Sequence, residues 1–186
     1  MPPWLLPLLL VASAAYLWFR LRITENRLAM TALTDALTGA FNRKAFLEAA
    51  EKEMSRARRT GRPLTVARLD VDDFGAFNAK KGQAAGDAFL KEAFQAIQAQ
   101  LRATDFCART GDDEFSLLLP ETGLAEAREP LDKIRKALSA LGGAPGISIG
   151  ARSYVQTPNT LDEMLQDAGD RVALAKNGGK SRTEHD

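Results

Sequence analysis

The sequence predicts an α+β fold, a sheet carrying helices, and three observations predict it. Short apolar or β-branched runs alternate along the chain with longer segments whose apolar residues recur at helical spacing. Two of the short runs flank a Gly111-Asp112 turn, which places a hairpin in the middle of the chain. The order of elements is mixed, unlike the strict strand–helix repeat of a parallel sheet. With 45% hydrophobic residues in 186, the chain has enough apolar material for one ordinary domain and an appendage.

The appendage comes first. Residues 4–19 carry no charge and are almost wholly apolar. At about 1.5 Å per residue, this stretch and its flanks just reach across a hydrocarbon layer of about 30 Å. Trp4, Tyr16, Trp18 and Phe19 lie toward its two ends, where aromatic belts form. Arg20, Arg22 and Arg27 follow, and no Lys or Arg precedes, so the positive-inside bias puts the rest of the chain in the cytoplasm. Residues 1–19 are therefore expected to form a single-pass transmembrane anchor in the inner (cytoplasmic) membrane. A cleaved signal peptide is the rival; Ala12-Ser13-Ala14 suits cleavage, but a basic n-region is missing. Residues 20–34, polar with scattered Leu, Ile and Met, are expected as a helical linker or stalk.

The domain follows. Residues 46–59 have an amphipathic helical pattern, and residues 64–69 read as a strand. Phe89, Leu90, Ala93, Phe94, Ile97 and Leu101 mark a helix over residues 86–101. Residues 106–109 and 115–119 are the two hairpin strands. Residues 124–141 read as a helix with Pro130 at a first turn or a kink. Residues 146–154 read as a strand, and residues 161–177 as a helix closed by Gly178-Gly179.

Composition narrows the chemistry. Twenty-five Lys and Arg against 24 Asp and Glu leave a net charge of +1, which excludes a globally basic nucleic-acid binder. One cysteine excludes an internal disulfide framework or a Cys-rich zinc site. The one histidine, His185, adjoins the C-terminus, so His-dependent triads and His-based metal sites are not expected. Carboxylates, Lys, Arg and backbone groups remain.

Three acidic features stand out: Asp70-Val71-Asp72-Asp73 at a strand end, Asp112-Asp113-Glu114 at the hairpin turn, and Asp87 beside Gly86 at a helix start. Strand alternation places Asp70 and Asp72 on one face. Carboxylates from a strand end and a turn can converge, and hard divalent cations choose such oxygen clusters, with substrate phosphates completing the shell. Taken singly, each cluster is as well explained by the fondness of Asp for turns. Lys176 and Lys180 flank Gly178-Gly179, where close backbone approach and positive charge suit a phosphate. Together these features point to metal-dependent phosphate chemistry.

Five motifs then resemble a known family. Asp35-Ala-Leu-Thr-Gly39-Ala-Phe-Asn42-Arg43 resembles the D-x-L-T-G-L-x-N-R entry of GGDEF domains, the diguanylate cyclases. Asp70-Val-Asp72-Asp-Phe74-Gly-Ala-Phe-Asn78 with Gly82-Gln-Ala-Ala-Gly86-Asp87 is similar to D-x-D-x-F-K-x-I-N and G-H-x-x-G-D. Arg109-Thr-Gly111-Asp112-Asp113-Glu114-Phe115 resembles R-x-G-G-D-E-F, Ser148-Ile149-Gly150 the S-I-G strand, and Ala175-Lys176-Asn-Gly-Gly179-Lys180-Ser-Arg182 the A-K-x-x-G-R-N-R segment. The motifs span residues 35–182 in the family order, leaving residues 183–186 as a tail.

The resemblance implies a palm-like antiparallel or mixed sheet flanked by helices, as in class III nucleotidyl cyclases. It implies that Asp70 and Asp113, with the Val71 carbonyl, hold Mg²⁺ or Mn²⁺, and that Glu114 supports the same acidic site. Asn78 and Asp87 would bind a guanine edge. Backbone amides around Asp73 and Phe74, with Lys176 and Lys180, would cradle the β- and γ-phosphates of GTP. Two domains meeting as a homodimer, through the stalk and the catalytic face, would join two GTP into cyclic di-GMP. A product-inhibition site, R-x-x-D, is implied at Arg102 and Asp105, faced by Lys133 or, from a neighbouring domain, by Arg56.

Three positions depart from the pattern: Asp112 replaces the second signature glycine, Gly75 a lysine and Gln83 a histidine. Asp tolerates positive φ, so the hairpin is expected to survive. A further carboxylate near the others, at about 6 Å and an effective dielectric of about 20, costs about 3 kcal/mol. Two functions follow: a membrane-anchored diguanylate cyclase, weak because of Asp112, or a degenerate domain acting as a cyclic di-GMP receptor or regulatory partner through Arg102 and Asp105.

Overall fold

The computed structural model describes residues 13, 15–20, 33–141, 143, 145–158 and 160–185. The expected anchor and stalk lie mostly outside them. Among the described residues no helix is long and apolar enough to cross a membrane.

The domain opens with a two-residue strand β1 (Phe41–Asn42) and helix α1 (Arg43–Thr60). Asn42 caps α1 by accepting from Ala45 N at 3.0 Å, and Gly61, at φ 67°, closes it in the left-handed region that favours glycine. Strand β2 (Leu64–Val71) follows, then two helices, α2 (Phe74–Lys81) and α3 (Gln83–Gln98), separated at Gly82 (φ 87°). The hairpin is β3 (Phe106–Arg109) and β4 (Glu114–Pro120). Helix α4 (Leu124–Ser139), strand β5 (Ile147–Tyr154), helix α5 (Leu161–Asn177) and strand β6 (Thr183–His185) complete the chain. Pro130 lies inside α4 rather than in its first turn.

The six strands form one mixed sheet in the order β1-β3-β4-β2-β5-β6. The central pairs are antiparallel, and the edge strands β1 and β6 add on in parallel. The α+β class is thus as expected, with a correction at the end of the chain. Residues 183–185, read as tail, pair with β5 because the polar run Thr-Glu-His is carried to the sheet edge by the turn after α5.

Alternation along the strands builds a core on each face. Ala67, Leu69, Phe115, Leu117 and Ile149 pack toward α3 and α4 with Phe89, Leu90, Leu131 and Ile134. Leu64, Val66 and Leu118 pack toward α1 and α5 with Phe46, Met54, Met164 and Ala168. Gly150 lets α5 lie directly on β5: a Cβ there would fall 2.3 Å from Val172 N and 2.5 Å from Ala168 O. That is the physical reason for glycine in the Ser148-Ile149-Gly150 strand.

Candidate functional site

The tip of β2 and the β3–β4 turn meet. Asp70 is in register with Glu114 of β4 on one side and Ser148 of β5 on the other. One step on, Val71 N donates to Asp113 O at 3.0 Å, which stitches the turn to the strand tip. The turn closes through Thr110 N and Gly111 N, both donating to Glu114 O at 3.0 and 3.4 Å. Arg109 braces it from outside: one guanidinium nitrogen donates to Asp112 O at 2.7 Å, and the other pairs with Asp35 at 3.1 Å. The hairpin survives Asp112, as expected, and needs no positive φ at either Gly111 or Asp112.

The carboxylates converge electrostatically. Burial pushes the Asp70 carboxyl above its ordinary range, Lys176 pulls it back, and the nearby charges of Asp113 and Glu114 push it further up. Lys176, in the last turn of α5, sets its ammonium 2.5 Å from Asp70 Oδ1. Among the described residues no three His, Cys, Asp or Glu side chains stand close enough to hold a metal by themselves. Asp70 and Asp113 supply hard oxygen donors, and a cation, the Lys176 ammonium, already stands at Asp70. The residues present therefore fit a divalent cation completed by phosphate oxygens.

Asp72, expected on the face of Asp70, belongs to a different job. Beyond Val71 the strand ends, and Asp72 turns inward with 4% of its surface exposed. Its carboxylate accepts from Ser148 Oγ at 2.7 Å and Ser181 N at 3.0 Å, so it ties the strand tip to the turn after α5. Asp73 then takes φ 54° and starts α2, while Lys180 Nζ reaches its carboxylate at 2.7 and 2.8 Å. This pairing raises the Lys180 pKa. The Phe74 side chain is buried with Phe77 and Phe89, ring centroids 6.3 and 6.4 Å away, so only its backbone faces the site.

Asn78 and Asp87 are brought together across the α2–α3 junction. Asn78 Oδ1 is buried with no hydrogen-bond partner. It packs on Gly86, where a Cβ would lie 2.0 Å from it. Asp87 accepts from Gln83 Nε2 at 3.1 Å. The side chains of Arg68, Asp70, Glu114, Val172 and Lys176 line a cleft of about 230 Å³ between the strand tips and α5.

Arg102 and Asp105 lie on a loop behind α3. Asp105 accepts from the backbone amide of Arg102 at 2.9 Å, and its other oxygen is buried without a partner. The Arg102 side chain is exposed. A cleft of about 350 Å³ brings Arg102, Asp105 and Lys133 together with Glu126 and Glu129, and Lys133 is paired with Glu129 at 2.7 Å. On the other side of Arg102, a cleft of about 460 Å³ is shared with Arg56, which pairs with Glu121 at 3.3 Å.

The sequence reading missed Arg68, Thr110 and the Asp35–Arg109 pair. A polar face did show in β2, where Arg68 and Asp70 alternate with Leu69, and that alternation is the signal that could have found Arg68.

Comparison with known proteins agrees with this geometry. Residues 32–182 match the family described as diguanylate cyclase, GGDEF domain. Diguanylate cyclase DgcP of Pseudomonas aeruginosa is 38% identical over 159 residues, 82% of this chain and 24% of that protein. Diguanylate cyclase DosC of Escherichia coli is 33% identical over 158 residues, 81% of this chain and 34% of that protein. The chain thus spans only 24% to 34% of the length of these curated relatives. Among solved structures, the coiled coil and GGDEF domain of DgcB from Caulobacter crescentus, in complex with c-di-GMP, superposes with a TM-score of 0.89 at 26% identity, covering 97% of this chain and 99% of that one. Diguanylate cyclase SiaD of Pseudomonas aeruginosa, in complex with its activator SiaC, gives a TM-score of 0.81 at 28% identity, covering 97% of this chain and 73% of that one. A match running from the Asp35 turn through the Lys180 loop, over this same sheet, makes the chain a member of the GGDEF family.

Proposed function

We propose that the chain is a membrane-anchored diguanylate cyclase of low turnover, converting two GTP into cyclic di-GMP and pyrophosphate. The observation that carries this reading is the meeting of Asp70 with the Asp113-Glu114 turn under Lys176. Asp70 and Asp113, with the Val71 carbonyl, would hold Mg²⁺ or Mn²⁺. When bound, such a cation lowers the pKa of an attacking hydroxyl and neutralises developing phosphate charge. Lys176 and Lys180 each have a carboxylate partner and would exchange it for a phosphate. The unpartnered Asn78 Oδ1 and the Asp87 carboxylate would accept from a guanine edge. Two domains facing each other in a homodimer bring one 3′-hydroxyl to the other nucleotide's α-phosphate.

In this reading residues 1–19 anchor the chain in the inner membrane, residues 20–34 form the stalk, and residues 35–182 work in the cytoplasm. Purified protein incubated with GTP and Mg²⁺ or Mn²⁺ is expected to yield cyclic di-GMP. No product at high protein concentration, even with the stalk replaced by a dimerising coiled coil, would defeat the reading.

The cleft around Arg102, Asp105 and Lys133, with the unpartnered Asp105 oxygen, favours a second role as a cyclic di-GMP receptor or regulatory partner. Calorimetry should give binding that Arg102→Ala abolishes. Binding that is absent, or indifferent to that change, removes the receptor role.

A further inference from the structure

The turn after α5 has an uncommon backbone. Gly179, Lys180 and Ser181 stand at φ 118°, 63° and 49°, three left-handed residues in a row of which only the first is glycine. A side chain at such an angle crowds the backbone, so Lys180 and Ser181 keep this shape only where other contacts fix it. Behind the turn, Lys180 N donates to Ala175 O at 3.1 Å, and beyond it β6 pairs with β5. Between these two ties the anchor is Asp72. Ser181 N donates to Asp72 Oδ2 at 3.0 Å, and Ser181 Oγ donates to the same oxygen at 3.4 Å. Ser148 Oγ donates to Oδ1 at 2.7 Å. Asp72 is held in turn by its own amide, which donates to Gly146 O at 2.8 Å.

This place calls for a carboxylate. Donors approach both of its oxygens, and an ionised carboxyl is the side chain that only accepts. An asparagine would turn an N–H toward a donor. Gly146 keeps the space open: a Cβ there would lie 2.0 Å from Ser181 Oγ and 2.8 Å from Asp72 Oδ2.

The two neighbours of this contact are the two sides of the phosphate cradle. Asp73, next after Asp72, takes φ 54° and opens α2, and Lys180 immediately precedes Ser181. At 4% exposure Asp72 is too deep to meet a nucleotide itself. We propose that Asp72 is a positioning residue for the triphosphate, holding the Asp73–Phe74 amides and the Lys180 turn at a fixed spacing. This deepens the cyclase reading and rests on it.

The test compares two ligands on the full chain with Mg²⁺: a non-hydrolysable GTP analogue by calorimetry, and GMP, which lacks the β- and γ-phosphates, by NMR titration. Asp72→Asn is expected to weaken the analogue about tenfold and to leave GMP unchanged. Amide exchange at Ser181, measured without nucleotide, should quicken. Adding Ser181→Gly should restore most of the lost affinity, because glycine takes φ 49° without the anchor. A role in stability alone would weaken both ligands and would not be rescued by a glycine that adds no bond. Gly146→Ala keeps the buried charge and wedges the contact apart, so it should show the same split between ligands. It decides if Asp72→Asn fails to fold. The proposal is overturned if analogue and GMP weaken together, if neither weakens, or if the glycine restores nothing. A parent that binds the analogue but makes no cyclic di-GMP from GTP fails the proposed activity alone. A parent that makes product while its variants lose both ligands equally fails this proposal alone.

Discussion

Asp112, which the resemblance sets against the second glycine of the signature, shows no backbone need of glycine. Its φ is not positive, its side chain is exposed, and the charges that raise the Asp70 pKa are Asp113 and Glu114. The cost of Asp112 is then a screened surface charge, smaller than the unscreened estimate of about 3 kcal/mol. Asp112→Gly and Asp112→Asn should each raise affinity for a non-hydrolysable GTP analogue by no more than about tenfold, and by similar amounts. A gain confined to the glycine variant would show that close backbone approach matters instead. Gly86 is the opposite case. A Cβ there meets Asn78 Oδ1 at 2.0 Å, so Gly86→Ala should dislodge the Asn78 amide and weaken the same analogue by about 1–3 kcal/mol with the fold intact. Calorimetry on the variant checks it. Asp70, Asp113, Asn78 and Lys176 were legible because their spacing is rigid along short motifs. Arg68 was not, because an arginine in a strand carries no sign of its cross-strand partner until register is known.

Among the elements, the hairpin and the helix over residues 161–177 were legible from turn residues and apolar period. The helix α2 was not, since eight residues with two buried or half-buried phenylalanines give too short a period to read. The Asp35 turn is the element whose purpose only the structure supplies. Burial opposes the Asp35 charge, but hydrogen bonds from Thr38 and the Arg109 guanidinium outweigh it and hold the carboxyl below its ordinary 3.8. A carboxyl with a lowered folded pKa stabilises the fold fully above the unfolded value, and that contribution is lost as pH falls through the folded one. Asp35→Asn should therefore lower the melting temperature at neutral pH, and the gap to the parent should close as pH drops below 3.8. A gap independent of pH would place the stabilisation in packing instead. Because Arg109 spans from Asp35 to the Asp112 carbonyl, the same variant should loosen the signature turn. Faster amide exchange at Gly111 and Asp113 would register that.

At the scale of the molecule, α5 is the element on which both the core and the site depend. It presses on β5 at Gly150, makes space for Arg68 at Gly169 and delivers Lys176 to Asp70. Gly150→Ala would set a methyl against helix backbone rather than a movable side chain, so it should cost at least about 1–3 kcal/mol in urea unfolding. The two-sided core was legible in the alternation of the strands; the β6 pairing was not, because Thr183-Glu184-His185 has no apolar face. That last strand also governs how the chain can be shortened. The family match stops at residue 182, but the rungs that hold the Lys180 loop against the sheet lie beyond it, where Thr183, Glu184 and His185 pair with Ile149, Gly150 and Ala151. A truncation drawn at the apparent boundary would leave every motif intact and unhitch the lysine-bearing loop from its downstream mooring. Affinity for triphosphate would fall through residues that never touch it.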